Sequence, residues 1–120
     1  MTNYDPRYLE FIKLFNNREY WNSHEVLEHA WLEQKDSPNR LFYKALIQLA
    51  AVLFHVEKKQ FRPASRLFLS ASKYLQGYLP TCLGLEIEPL LKEIELFVTN
   101  SKAEDSSLTQ KWPLITLDTN

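Results

Sequence analysis

Apolar residues recur at helical spacing through most of the chain, and nowhere do they alternate in the period of two that marks a strand. Asp5 followed by Pro6 is a helix start, an N-cap residue with proline at the first helical position. Tyr8, Phe11, Ile12 and Phe15 continue that helix as one apolar face, and FNN at 15–17 reads as the break that ends it. A second helix is predicted over about Arg18 to Gln34, stopped by KDSPN at 35–39. The third segment, RLFYKALIQLAAVLFHVEKK, is apolar around most of its circumference, the pattern of a central bundle helix. Its polar exceptions, Lys44, Gln48, His55 and Lys59, fall along one narrow stripe that turns either toward the second helix or outward. A fourth helix, FRPASRLFLSASKYLQGYL, carries Leu67, Phe68, Ala71, Tyr74 and Leu75 inward and ends near Gly77. YLPTCLGLEIEP reads as a loop, and a fifth helix spans about Glu88 to Asn100.

SKAEDSS at 101–107 is polar enough for a linker, and WPLIT at 112–116 is apolar, proline-marked and extended, so it is expected to dock. The fold expected is therefore all-α: a single-domain antiparallel bundle of about five helices with an extended C-terminal tail. Residues 1–100 form the helical domain and 101–120 the linker and tail. At 120 residues the chain can bury roughly two-thirds of its unfolded surface and needs no staple.

The run YWNSHEVLEHAW at 20–31 breaks the simple pattern. With Trp21 at the origin of a helical wheel, Tyr20, Leu27, Trp31 and Leu32 fall between about 240° and 20°, and His24 and Glu28 fall inside that same arc. Ionisable groups on a buried face are costly unless paired or coordinated. Four residues apart, His24 and Glu28 can point at one place, the spacing with which a single helix chelates a metal. A histidine nitrogen and a carboxylate oxygen suit a divalent metal ion, but a zinc site takes about three protein ligands. His55 is the candidate third ligand, with Gln48 two turns before it on the same stripe. Trp21, Glu25, Trp31 and Gln48 would line the pocket, and beside a metal-bound water Glu25 or Glu28 would serve as base. The competing reading is a His24–Glu28 pair that satisfies itself in the core and fixes helix register.

Composition narrows the partners. The formal net charge is −1, so no overall field draws the protein to nucleic acid or an anionic membrane. Lys58, Lys59, Arg62, Arg66 and Lys73 make a local basic run without an acidic residue, and nucleic-acid binding through it ranks last for that reason. The single cysteine, Cys82, forms no intrachain disulfide, and a reducing, cytoplasmic setting fits it. MTNYDPRYLE has no apolar signal core, and no run is long enough to span a bilayer. HEVLE misses the zinc-protease motif because Glu28 stands at the second histidine position, and no Glu-x-x-His pair of a di-iron bundle is present.

His24-x-x-x-Glu28-x-x-Trp31, preceded by Phe15-Asn16 and Glu19-Tyr20-Trp21 and followed by Gln48 and His55, resembles the domain-of-unknown-function 309 family. The resemblance covers about residues 11–79, with Lys44 and Ala45 departing from its pattern and the tail outside it. It implies an all-helical domain and metal binding at the His-x-x-x-Glu-x-x-Trp motif, and it supplies no reaction. The occupants expected at the site are thus a divalent metal ion or a small ligand. The alternative is a non-enzymatic module that binds a partner or a second copy of itself.

Overall fold

The computed structural model describes residues 3–103 and 111–118. Five helices carry the chain: α1 (Pro6–Asn16), α2 (Tyr20–Glu33), α3 (Arg40–Glu57), α4 (Phe61–Leu75) and α5 (Ile87–Lys102). The architecture is the all-α bundle expected, with α3 packed between α2 and α4, and α5 against α4. Ten of the α3 side chains, from Phe42 to Val56, are buried, which is why that segment is apolar nearly all round.

Asp5 caps α1 as the sequence predicts, its carboxylate accepting from the Arg7 backbone N–H at 2.9 Å. The same carboxylate takes the Arg7 guanidinium at 3.0 Å and the Gln34 side-chain amide at 3.0 Å, tying the start of α1 to the end of α2. The Arg7 hydrogen bond outweighs partial burial and holds the Asp5 carboxyl below its ordinary range.

Two helices end earlier, or begin later, than their patterns suggest, for one reason. Arg18 and Lys59 adopt left-handed backbone, with φ of 63° and 58°. At the first, the Glu19 N–H donates to the Leu14 carbonyl and the Arg18 N–H to that of Phe15. At the second, Gln60 donates to His55 and Lys59 to Val56. Both are Schellman closures built without glycine. Gly77, expected as a cap, instead sits in a 3₁₀ turn, Gln76–Tyr78, that extends α4.

The segment read as a loop contains a short antiparallel ribbon, β1 (Thr81–Cys82) and β2 (Leu85–Glu86). Its two central residues, Leu83 and Gly84, both have positive φ, as a tight type I′ hairpin requires. A Cβ on Gly84 would lie 2.6 Å from the Tyr4 hydroxyl oxygen, so glycine is needed there for space as well as for backbone. The Leu83 carbonyl accepts from the buried Tyr8 hydroxyl at 3.0 Å.

Ser101 and Lys102, read as the start of the linker, belong to α5, and 104–110 lie outside the described residues. The tail at 111–118 lies extended across α1, α2 and α5. Asn16 holds it by its side-chain amide, donating to the Ile115 carbonyl at 2.9 Å and accepting from the Ile115 N–H at 2.8 Å. Trp112 packs on Phe97 and Tyr20, with ring centroids 4.4 and 5.8 Å away, and the Arg18 guanidinium lies 4.0 Å from its ring.

Candidate functional site

Local packing rotates α2 away from the expected face. Tyr20, Ser23, Leu27 and Ala30 are the buried residues, whereas Trp21 is 53% and Leu32 50% exposed. Ser23 and Ala30 are small and the tryptophans large, so the small side is the one that allows close approach to α1 and α3. Ser23 meets its own need by donating to the Tyr20 carbonyl at 2.8 Å. This rotation leaves His24, Glu28 and Trp31 half-buried at the edge of the core, along the seam between α2 and α3.

The short connection at 34–39 makes α2 and α3 antiparallel neighbours, and two contacts fix their register. Trp21 lies 5.4 Å from Phe54 at one end, and Trp31 meets Arg40 and Lys44 at the other. Between these points in sequence, half-buried, stand His24 and Glu28 on α2 and Gln48 on α3. Trp21 stacks on the His24 imidazole at 5.2 Å with 14° between planes. The Arg40 guanidinium lies 4.5 Å from the Trp31 ring centroid and the Lys44 ammonium 5.8 Å, with Lys44 also 5.2 Å from the Tyr74 ring of α4.

Four polar atoms of residues along this seam are buried without a hydrogen-bond partner among the described residues: His24 Nδ1, Trp31 Nε1, Arg40 Nε and Gln48 Oε1. Each such atom costs about 1–3 kcal/mol if left unmet. No hydrogen bond or ion pair joins His24 to Glu28 among the described residues, and the imidazole Nδ1 is itself unpartnered there. The α3 stripe is divided. Lys44 lies against Trp31 of α2 and Gln48 is half-buried with its oxygen unpartnered, whereas His55 sits edge-on to Phe54 and its Nδ1 engages the Gln60 side-chain oxygen at 2.7 Å. Among the described residues no group of three or more His, Cys, Asp or Glu side chains is placed to hold a metal ion. Glu25, expected beside the pocket, is exposed.

Arg40, Lys44 and Tyr74 belong to the site and were not assigned to it from sequence. The signal was present in outline: two cations four residues apart, just across a short turn from Trp31. Neither cation has an ion pair among the described residues; the pairs found are Arg7 with Asp5 and Glu33, and Arg18 with Glu57.

Architecture and site together define an all-helical domain with a polar, aromatic-lined seam between two antiparallel helices, and no helix of the described residues is long and apolar enough to cross a membrane. Residues 8–67 match the family model described as Domain of unknown function (DUF309), and the chain belongs to that family. It is also 30% identical over 75 residues to an uncharacterized protein of Bacillus subtilis (strain 168), YpuF. That match takes in 62% of this chain and 43% of the relative, so the chain aligns with less than half of its relative's length. The matched family region contains α2, α3 and thus the seam, and excludes the tail.

Proposed function

We propose that the protein is a ligand-binding domain whose site is the α2–α3 seam, with His24, Glu28, Trp31 and Gln48 around a small polar molecule. The observation that carries this is the set of buried, unpartnered polar atoms contributed by both helices. A finished core leaves very few such atoms, because each detracts from stability, and of the six among the described residues four belong to this joint, the others being the Tyr20 and Ser72 hydroxyls. The set mixes donors, Trp31 Nε1 and Arg40 Nε, with an acceptor, Gln48 Oε1, and His24 Nδ1 serves as either. The complementary guest therefore both accepts and donates. Trp21 and Trp31 supply flat apolar walls at either end.

A divalent metal ion held by His24 and Glu28 is the second occupant to test, with its remaining ligands drawn from water or a bound molecule. Ligand-observed NMR against a panel of amides, imidazoles, amino acids and divalent cations tests the reading directly. We expect binders whose signals vanish in a Gln48→Met variant of unchanged circular dichroism. A panel without any Gln48-dependent binder would leave the seam as a packing feature only. The alternative role, docking of a second copy over exposed Trp21 and Leu32, predicts sedimentation that changes with concentration and not with ligand.

A further inference from the structure

We infer that Arg40 and Lys44, set against Trp31 and Tyr74, form an oxyanion subsite that takes the phosphate or carboxylate group of a small molecule bound in the seam. This rests on the reading of the seam as a binding site and names the chemistry of its α3 end.

The two cations stand four residues apart on one helix and share one indole, at 4.5 and 5.8 Å from its centroid. Like charges at that spacing repel, and the usual remedy is a carboxylate between them. None is supplied. Glu28, one turn along α2 from Trp31, makes no ion pair with either, and no side-chain hydrogen bond engages Arg40 or Lys44 among the described residues. The negative ring faces of Trp31 and Tyr74 offset part of the repulsion and fix the positions of both charges. They also remove water from one side of each cation, which strengthens its attraction for an anion on the other.

The donor set has the form of an oxyanion site. Arg40 Nε and Trp31 Nε1 are buried N–H groups without acceptors, and the Arg40 guanidinium lies on the Trp31 ring itself. Lys44 adds a compact point charge. A guanidinium fork, an indole N–H and an ammonium together suit the several lone pairs of a phosphate or carboxylate. Both cations and both rings are half-buried, so the subsite is sheltered and still reachable. Gln48, one turn beyond Lys44, then serves the neutral part of the same molecule.

The test is titration of the full chain at constant ionic strength, followed by amide NMR, with three probes: inorganic phosphate, acetate and uncharged acetamide. The variants are Arg40→Gln, Lys44→Met, which keeps the stem on the rings, and Lys58→Gln as a charge-matched change at the far end of α3. We expect saturable binding of phosphate or acetate that weakens about tenfold or more in Arg40→Gln and in Lys44→Met and is unchanged in Lys58→Gln. Whichever of the two probes binds more tightly assigns the oxyanion as phosphate or carboxylate. Arg40→Lys, which keeps the charge and loses the fork, covers the case in which Arg40→Gln fails to fold; it too should weaken binding. Equal loss in Lys58→Gln would mean diffuse charge screening and would overturn the inference. So would absence of saturable binding. If both oxyanions fail while acetamide binds in a Gln48-dependent manner, the oxyanion subsite falls and the seam reading stands; if all three fail, both fall.

Discussion

Two joints in this small protein are built on opposite terms. Where the tail crosses α1 and α5, polar groups are met, the buried hydroxyl of Tyr20 beside Trp112 being the exception. Asn16 matches both backbone groups of Ile115, and the Asp118 N–H donates to the Gly84 carbonyl at 2.7 Å. Partial burial pushes the Glu93 carboxyl upward, and a hydrogen bond from the Leu114 N–H pulls it part of the way back. Where α2 meets α3, the joint buries four polar atoms without partners and holds two unpaired cations. Both joints are lined with aromatic rings, so apolar content does not separate them. The difference is whether the chain supplies its own hydrogen-bond complement. A joint that does is finished; on the reading proposed above, one that does not is completed by a guest.

The tail joint should therefore be the one that stability depends on. Asn16→Ala removes two hydrogen bonds and leaves both backbone groups of Ile115 unmet beside a side chain that is only 3% exposed. We expect a loss of about 2–3 kcal/mol in denaturant unfolding. A change below about 0.5 kcal/mol would show that the tail is held by Trp112 and Ile115 alone and would erase the contrast.

The seam should respond with the opposite sign. Gln48→Met keeps the length of the side chain and removes an acceptor that is buried unpartnered. The free protein should gain up to about 1 kcal/mol, while seam-dependent ligand signals disappear. Destabilisation by more than about 1 kcal/mol would mean that Gln48 is already satisfied in the free protein and that the seam resembles the tail joint after all.

The extent to which each joint can be read from sequence follows from the range of its contacts. Helix existence and order were legible because apolar spacing is local, and the α1 cap was legible because Asp5 and Pro6 are adjacent. The start of α2 and the end of α3 were not, since Arg18 and Lys59 take the left-handed positions that glycine would have flagged. The ribbon escaped notice because Leu83 stands where asparagine or aspartate would have signalled a hairpin. At the seam, the His24, Glu28 and Trp31 spacing was visible, but which side of α2 is buried was not. That choice depends on Ser23 and Ala30 fitting against neighbours, and periodicity gives the width of an apolar face more securely than its centre. The Asn16–Ile115 link spans 99 residues, beyond any local pattern.

The smallest effect offers the finest comparison. Cys82 lies in β1, next to the hairpin residues whose carbonyls accept from Tyr8 and from Asp118 of the tail. Burial pushes its thiol up from 9.0 to about 11, so at pH 7.5 it carries on the order of a hundredfold less thiolate than an unperturbed cysteine. Because the folded value lies above the unfolded one, this burial contributes stability at neutral pH that is lost as pH rises from about 9 through 11. Alkylation by iodoacetamide should accordingly be slow in the native protein and accelerate only toward pH 11. Asn16→Ala should speed it at pH 7.5 by loosening the tail beside the ribbon, and Gln48→Met should leave it unchanged. Equal rates in all three proteins would show that Cys82 is shielded by the bundle and that the tail joint ends at Asn16, short of the ribbon.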